Sequence, residues 1–266
     1  MTLRVTSVYR RDETNVGDAF CAPSRYFDIT GPEQDILELD QQGLSGVVIV
    51  GGGGLIAQTF APAMTALAEC RPRLDALIGW GMGESLHVDR KGGMVMPFAG
   101  ALPDYLGAYD LLGVRDFGTP YRWTPCASCM SPEFDRVRDQ PTKPFVIYEH
   151  KRIPVPIDGQ DRLTNDGNDI SGVLDFLASG EVVITNSYHG AYWATLLGRR
   201  VVAIPNMSKL YRLKHAPAVG RAEHWRQLAE VAVAYPEALA ECREANRAFM
   251  DDVTALCQQV GAADAS

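Results

Sequence analysis

No stretch of this 266-residue chain approaches eighteen consecutive apolar residues, which excludes a transmembrane helix of ordinary length. The opening MTLRVTSVYRRDETN has neither an apolar h-region nor a small-residue cleavage site, so a secretory leader is not expected and the cytoplasm is the expected compartment. Positive charge is outweighed: 25 Lys and Arg face 33 Asp and Glu, a net charge of −8. That balance argues against nucleic acid held on a basic face, while local basic patches stay free to hold a small anion. Cysteine is sparse and scattered, six in all, which does not suit a disulfide framework. Cys126 and Cys129 have CxxC spacing, but the second pair that a structural zinc needs is missing. Pro125 and Pro132 flank the motif where a redox pair would open a helix. Two small residues packed in a turn are the expected reading.

Hydrophobic residues make up 46% of the chain and charged residues 22%, the composition of a soluble globular protein with one large core or two modest ones. Short apolar runs followed by glycine or polar turns and then helix-like segments recur, the signature of βα units in parallel sheets. Expected strands are LRVTSVY (3–9), GVVIVG (46–51), LDALIGW (74–80) and LLGVRD (111–116), then FVIYEH (145–150), EVVITN (181–186) and RVVAIP (200–205). Helices are expected near 171–179, 188–198 and 221–233. The charged, proline-bearing RVRDQPTKP (136–144) reads as a linker. The fold class expected is therefore α/β with two Rossmann-like lobes, 1–139 and 140–235. Residues 236–266 form a C-terminal helix and tail docking back on the body. In that helix Leu239, Cys242, Phe249, Val253 and Leu256 recur at helical spacing, and GAADAS reads as a frayed end.

In open parallel sheets ligands sit outside the carboxyl ends of strands, and three turns there carry chemistry. In TNVGDAF, Asn15 and Asp18 flank Gly17 just after the first strand; Asp18 is either a helix cap or a ligand contact. In VVIVGGGGLIAQ, four consecutive glycines, Gly51, Gly52, Gly53 and Gly54, free backbone amides to turn toward an anion or a sugar at the positive end of a following helix. No Gly-Lys-Ser/Thr follows, and Leu55 and Ile56 break a GxGxxG pattern, so this is neither a Walker loop nor a dinucleotide fingerprint. GWGMGES (79–85) repeats the pattern more weakly as a floor to the same cleft. The third turn delivers Asn186, Ser187, Tyr188 and His189 from a buried strand to a helix N-terminus. There the helix dipole disfavours the imidazolium, so a neutral histidine would serve as base or hydrogen-bond donor.

The succession NVGD (15–18), GGGGL (51–55), GVRD (113–116) and NSYHGAYWATLLGRRVVAIP (186–205), ending near SK (208–209), resembles the polysaccharide pyruvyl transferase family. The motifs keep the family's order over roughly residues 12–212. The resemblance implies two lobes similar to GT-B glycosyltransferases with the active site between them. It implies transfer of a pyruvyl ketal from phosphoenolpyruvate to a sugar of a bacterial surface polysaccharide or its lipid-linked precursor, with no metal or organic cofactor. Such an enzyme of exopolysaccharide and cell-envelope biosynthesis would touch the membrane peripherally, through its acceptor. Carried over residue by residue, His189 matches the family histidine expected to act as acid or base, and Arg115 the arginine expected to contact the donor's anionic groups. Where the family reads Ser-Arg-Leu-His-Gly, this chain reads Asn186-Ser187-Tyr188-His189-Gly190, so Ser187 holds the arginine's place. The aspartate-proline strand before the linker is likewise altered, to PCASCMSPEFD. A bidentate clamp is missing at Ser187, and Lys209, Arg212 or Arg199 would have to substitute.

Two other readings use the same cleft. A glycosyltransferase with a nucleotide-sugar donor would be suited by the hydroxyls of Ser187 and Tyr188, and a non-catalytic relative would only bind carbohydrate. In the leading reading a cleft acid, with His189 the candidate, protonates the enol methylene carbon and a sugar hydroxyl attacks the oxocarbenium-like centre as phosphate leaves. Arg115 and the amides of Gly51 to Gly54 would neutralise the donor's charge.

Overall fold

The computed structural model describes residues 3–263, except 87–89, 92–93, 137 and 139. Two parallel sheets organise the chain. The first holds β1 (Thr6–Tyr9), β2 (Glu33–Asp35), β3 (Val47–Gly51), β4 (Ala76–Met82), β5 (Leu111–Val114) and β6 (Arg122–Trp123), in the order β6-β5-β4-β3-β1-β2. The second holds β7 (Lys143–Glu149), β8 (Asp161–Thr164), β9 (Gly180–Thr185), β10 (Arg200–Ala203) and β11 (Ala218–Val219), in the order β8-β7-β9-β10-β11. Every pairing within both sheets is parallel, so all the carboxyl ends of a sheet lie along one edge. The central strands are the expected apolar runs: β3 and β4 are buried along their whole length, as strands covered on both faces must be. The strands that pattern reading does not find, β2, β6, β8 and β11, are short and sit at or next to sheet edges.

Helices cover the sheets. They are α1 (Val16–Ala19), α2 (Ala61–Cys70), α3 (Ile170–Ser179), α4 (Tyr188–Leu196), α5 (Trp225–Val231) and α6 (Ala238–Ala263). Four of them, α3 to α6, fall on the expected segments. The helix expected to start right after the glycine run is a correction: α2 begins only at Ala61, because Ile56 first forms a parallel bridge with Glu84 and a turn intervenes. The amides of Gly51 to Gly54 therefore stand at a strand end and not at a helix N-terminus.

The C-terminal helix starts at Ala238, two residues beyond Pro236, and runs through Gly261–Ala263; residues 264–266 lie outside the described residues. It crosses from one sheet to the other. Ala238 and Cys242 are packed with the second sheet's core, while Phe249 and Val253 are packed with Val47, Ile49, Ile78 and Trp80 of the first. Midway, Asn246 accepts from Trp80 Nε1 at 2.8 Å and donates to Pro125 O at 3.2 Å and Cys242 O at 3.0 Å. Among the described residues, no helix is long and apolar enough to cross a membrane.

Candidate functional site

The carboxyl edges of the two sheets face a common cavity of about 290 Å³. Eight of the eleven strands of the two sheets contribute to it through residues in the loops past their ends. Arg10 follows β1, and Asn15 and Asp18 belong to the loop and helix beyond it; Gly53 and Gly54 follow β3, Ser85 follows β4 and Arg115 follows β5. From the second sheet come His150 after β7, Asn165 after β8, Ser187, Tyr188 and His189 after β9, and Met207 and Lys209 after β10. Leu55 and Phe60 complete the wall.

Two straps join the loops around this cavity. On one side Asn165 donates to Asn15 Oδ1 at 3.0 Å, Val16 N donates to Asn165 O at 3.2 Å and Lys151 Nζ donates to Thr14 Oγ1 at 2.7 Å. On the other, the Ser208 hydroxyl donates to the buried Glu84 carboxylate, and Arg212 donates to Phe98 O at 3.1 Å.

The charged groups in the wall are poorly compensated. Arg115 is buried, its guanidinium carbon 3.6 Å from the centre of the Tyr188 ring, with Nε unpaired and no ion-pair partner among the described residues. A Cβ on Gly83 would overlap that guanidinium, so the glycine of GWGMGES is what lets Arg115 enter. Lys209 likewise has no ion-pair partner among the described residues, and burial, with repulsion from Arg115, lowers it to about 8. Asp18 accepts from Asn15 Nδ2 at 2.8 Å, and burial pushes its carboxyl up to about 6, with Lys209 opposing. Burial and then the charges of Arg115 and Lys209 hold His189 well below its ordinary value, hence neutral. His150 is lowered for the same first reason, burial.

No protein-family model matches this sequence, and no curated protein does. Among solved structures, an uncharacterized protein of Klebsiella pneumoniae subsp. pneumoniae is similar at 15% identity, with a TM-score of 0.47 over 77% of this chain and 84% of that one.

Of the residues expected from the sequence, the cavity gathers Asn15, Asp18, Gly53, Gly54, Arg115, Ser187, Tyr188, His189 and Lys209. Gly17, Gly51, Gly52 and Asn186 stand behind it. Asn186 is spent on the second sheet's loops, accepting from His150 N at 2.8 Å and donating to Ile153 O at 2.7 Å. Gly52 has φ +79°, and a Cβ there would strike the Cys21 carbonyl, so close packing and not ligand approach is its reason for being glycine. Gly51 ends β3, where a Cβ would sit 3.0 Å from Trp80 O. Gly17 lies against His189, and a Cβ there would overlap Nδ1. Asn15, not Asp18, caps α1, its side chain accepting from Gly17 N at 3.1 Å. Ser187 caps α4, accepting from Gly190 N at 3.4 Å. Of the three basic residues that would replace the missing arginine, Lys209 lines the cavity and Arg199 and Arg212 do not.

Ser85, from the GWGMGES stretch expected as a floor of the cleft, lines the cavity, and five further lining residues, Arg10, Phe60, His150, Asn165 and Met207, were not singled out from the sequence. Arg10 directly follows an expected strand, and His150, the last residue of the expected strand 145–150, directly follows the observed one, which ends at Glu149, so the carboxyl-end rule would have found both. Asn165 follows a strand, DRLT, too polar to be read as one. Among the described residues, no group of three or more His, Cys, Asp and Glu is placed to hold a metal ion.

Proposed function

We propose that this chain is a transferase of the polysaccharide pyruvyl transferase type, with two Rossmann-like lobes in a GT-B-like arrangement, acting on a bacterial surface glycan or its lipid-linked precursor. The observation that carries the reading is the pair Arg115 and Lys209, two cations facing one small cavity without carboxylate partners among the described residues. Asp116 and Asp18 act on these cations only from beyond ion-pair distance, and a ligand with two anionic groups, such as the carboxylate and phosphate of phosphoenolpyruvate, supplies direct partners. A cavity of about 290 Å³ lies at the small end of the range for ligand sites, which suits such a donor better than a nucleotide sugar.

The reaction needs a proton on the donor's methylene carbon, a bond from each of two sugar oxygens to the adjacent carbon, and loss of phosphate. Of the two hydroxyl protons displaced, one balances the new methyl group and the other leaves with phosphate. The acid is assigned by the displacement of neighbouring titratable groups. Asp18, pushed up to about 6 by burial, is the better acid, and the nearby anionic donor raises it further. His189, held neutral by burial, is a poor acid; its contribution is that of an uncharged imidazole. Arg115 and Lys209 hold the donor's anionic groups and oppose the charge that builds on the departing phosphate.

The test is calorimetric titration of phosphoenolpyruvate against UDP- and GDP-sugars, on the wild type and on Arg115→Met and Lys209→Met. The reading requires saturable binding of phosphoenolpyruvate that both substitutions weaken. Binding of a nucleotide sugar with no binding of phosphoenolpyruvate would replace it with the glycosyltransferase reading.

A further inference from the structure

Behind the cavity wall, His189 is met on its Nε2 side by a line of buried side chains. Trp193 Nε1 lies 2.9 Å from Ser128 Oγ, Ser128 Oγ 3.2 Å from Cys126 Sγ, and Cys126 Sγ 3.5 Å from His189 Nε2. Trp193, Ser128 and Cys126 are each 0% exposed, so water does not reach them, and each polar hydrogen must find its partner within the protein.

The direction of the line follows from counting protons. An indole N–H only donates, so Ser128 Oγ accepts from Trp193. The Ser128 hydroxyl proton then needs an acceptor, and Cys126 Sγ is its other polar contact among the described residues. With the sulfur accepting there, the polar contact left to the thiol proton is His189 Nε2. A neutral imidazole whose Nε2 accepts carries its proton on Nδ1.

We propose that Trp193, Ser128 and Cys126 fix His189 as the Nδ1–H tautomer, so that the ring presents a hydrogen-bond donor to the ligand in the cavity and not a base. Cys126 and Ser128 are thus positioning residues. The CxxC segment serves the site through Cys126, while Cys129 is turned to the C-terminal helix, 3.3 Å from Asn246 Nδ2. Gly17 packs against the same ring, and a Cβ there would overlap Nδ1. Nδ1 has no hydrogen-bond partner among the described residues, which leaves its proton for a ligand oxygen.

What the donated hydrogen bond does rests on the transferase reading above: it stabilises an oxygen of the donor that gains negative charge as phosphate departs, with no proton passing through His189. The tautomer itself does not rest on that reading and is measured on the ligand-free protein. The chain has five histidines, so ¹⁵N-histidine labelling with long-range ¹H–¹⁵N correlation is run on the wild type and on His189→Gln, whose missing signals identify His189. The expected wild-type pattern is a protonated-type Nδ1 and an unprotonated-type Nε2. Cys126→Ala should shift His189 toward a mixture with the Nε2–H form, and Cys126→Ser, which keeps a donor in the same place, should restore the wild-type pattern. An Nε2–H tautomer in the wild type, or a folded Cys126→Ala protein with an unchanged pattern, overturns the proposal. If Cys126→Ala does not fold, the wild-type and Cys126→Ser spectra decide it, because both must show Nδ1–H. Failure of phosphoenolpyruvate to bind would remove the transferase reading and leave this result standing.

Discussion

At the residue scale, burial decides the state of Asp18, and Arg115 is buried without an ion-pair partner among the described residues. Arg115 has burial, an aromatic face and an unpaired Nε, with no carboxylate bonded to it among the described residues. A cation in that position serves a ligand at the expense of stability. Arg115→Met is therefore expected to keep or raise the melting temperature of the ligand-free protein. It should weaken phosphoenolpyruvate binding by about 10- to 100-fold, the scale of a lost charge-assisted hydrogen bond. Calorimetry and thermal melts on one preparation check both halves; a fall in melting temperature would mark Arg115 as structural. Asp18→Asn separates binding from turnover in the opposite sense. Removing a negative charge beside an anionic donor should tighten binding, while loss of the acid should cut turnover by roughly 10²-fold or more. Among the glycines, Gly52→Ala should lower stability more than Gly53→Ala. Both have positive φ, near +80°, but only at Gly52 does a Cβ meet backbone, whereas at Gly53 the nearest atoms are 3.8 Å away. Gly53→Ala is then the variant whose ligand binding suffers out of proportion to its stability.

At the scale of elements, the C-terminal helix α6 is the clearest long-range device, because it ties the second sheet's core to the first through three successive contacts, Cys242, Asn246 and Phe249. Phe249→Ala empties a fully buried ring site against Trp80, 5.0 Å between ring centres. It should cost about 3–5 kcal/mol in chemical denaturation, with the first sheet's unfolding advanced relative to the second's. The apolar spacing of that helix was legible in the sequence, as were the seven central strands, because buried parallel strands need unbroken apolar runs and a docked helix needs a stripe. Edge strands were not legible: DRLT and EQD carry charged residues because one side of each lacks a neighbouring strand. The site was legible wherever its residues belong to a turn after a readable strand, as with Arg115 and His189. It was not legible for Asn165, whose strand is polar, nor for Cys126, whose partner on His189 lies 63 positions away. The steric roles of Gly17 and Gly83 are also invisible to spacing, since each is defined by a side chain from a distant strand end.

For the whole molecule, the buried titratable groups make stability depend on pH in two opposing ways. Burial pushes Asp116 up to about 7 and Asp18 up to about 6. Between the ordinary carboxylate range and those values, the folded state binds more protons than the unfolded chain, so their contribution is fully present below about pH 4 and is lost progressively up to about 6 for Asp18 and about 7 for Asp116. His189 and His150 are lowered by burial, so the unfolded chain binds more protons below the ordinary histidine value. Their contribution is present above that value and is lost as pH falls. The two trends partly cancel in the wild type, which makes a difference between variants more informative than a single profile. Asp116→Asn isolates the first trend: the carboxamide oxygen can still accept from Glu84 N, as Asp116 Oδ2 does at 2.5 Å, and only the ionisation is removed. The melting-temperature gain of Asp116→Asn over wild type should already be present at pH 5, grow through pH 6 and 7, and level off above about 8. His189→Gln should behave in mirror image, gaining on the wild type as pH falls from 7 to 5. If the Asp116→Asn difference stays flat across this range, Asp116 titrates at its ordinary value in the folded protein. The unpaired Asp116 Oδ1 must then be reached by water or a cation, and the wall of the cavity behind Arg115 would be wetter than its packing implies.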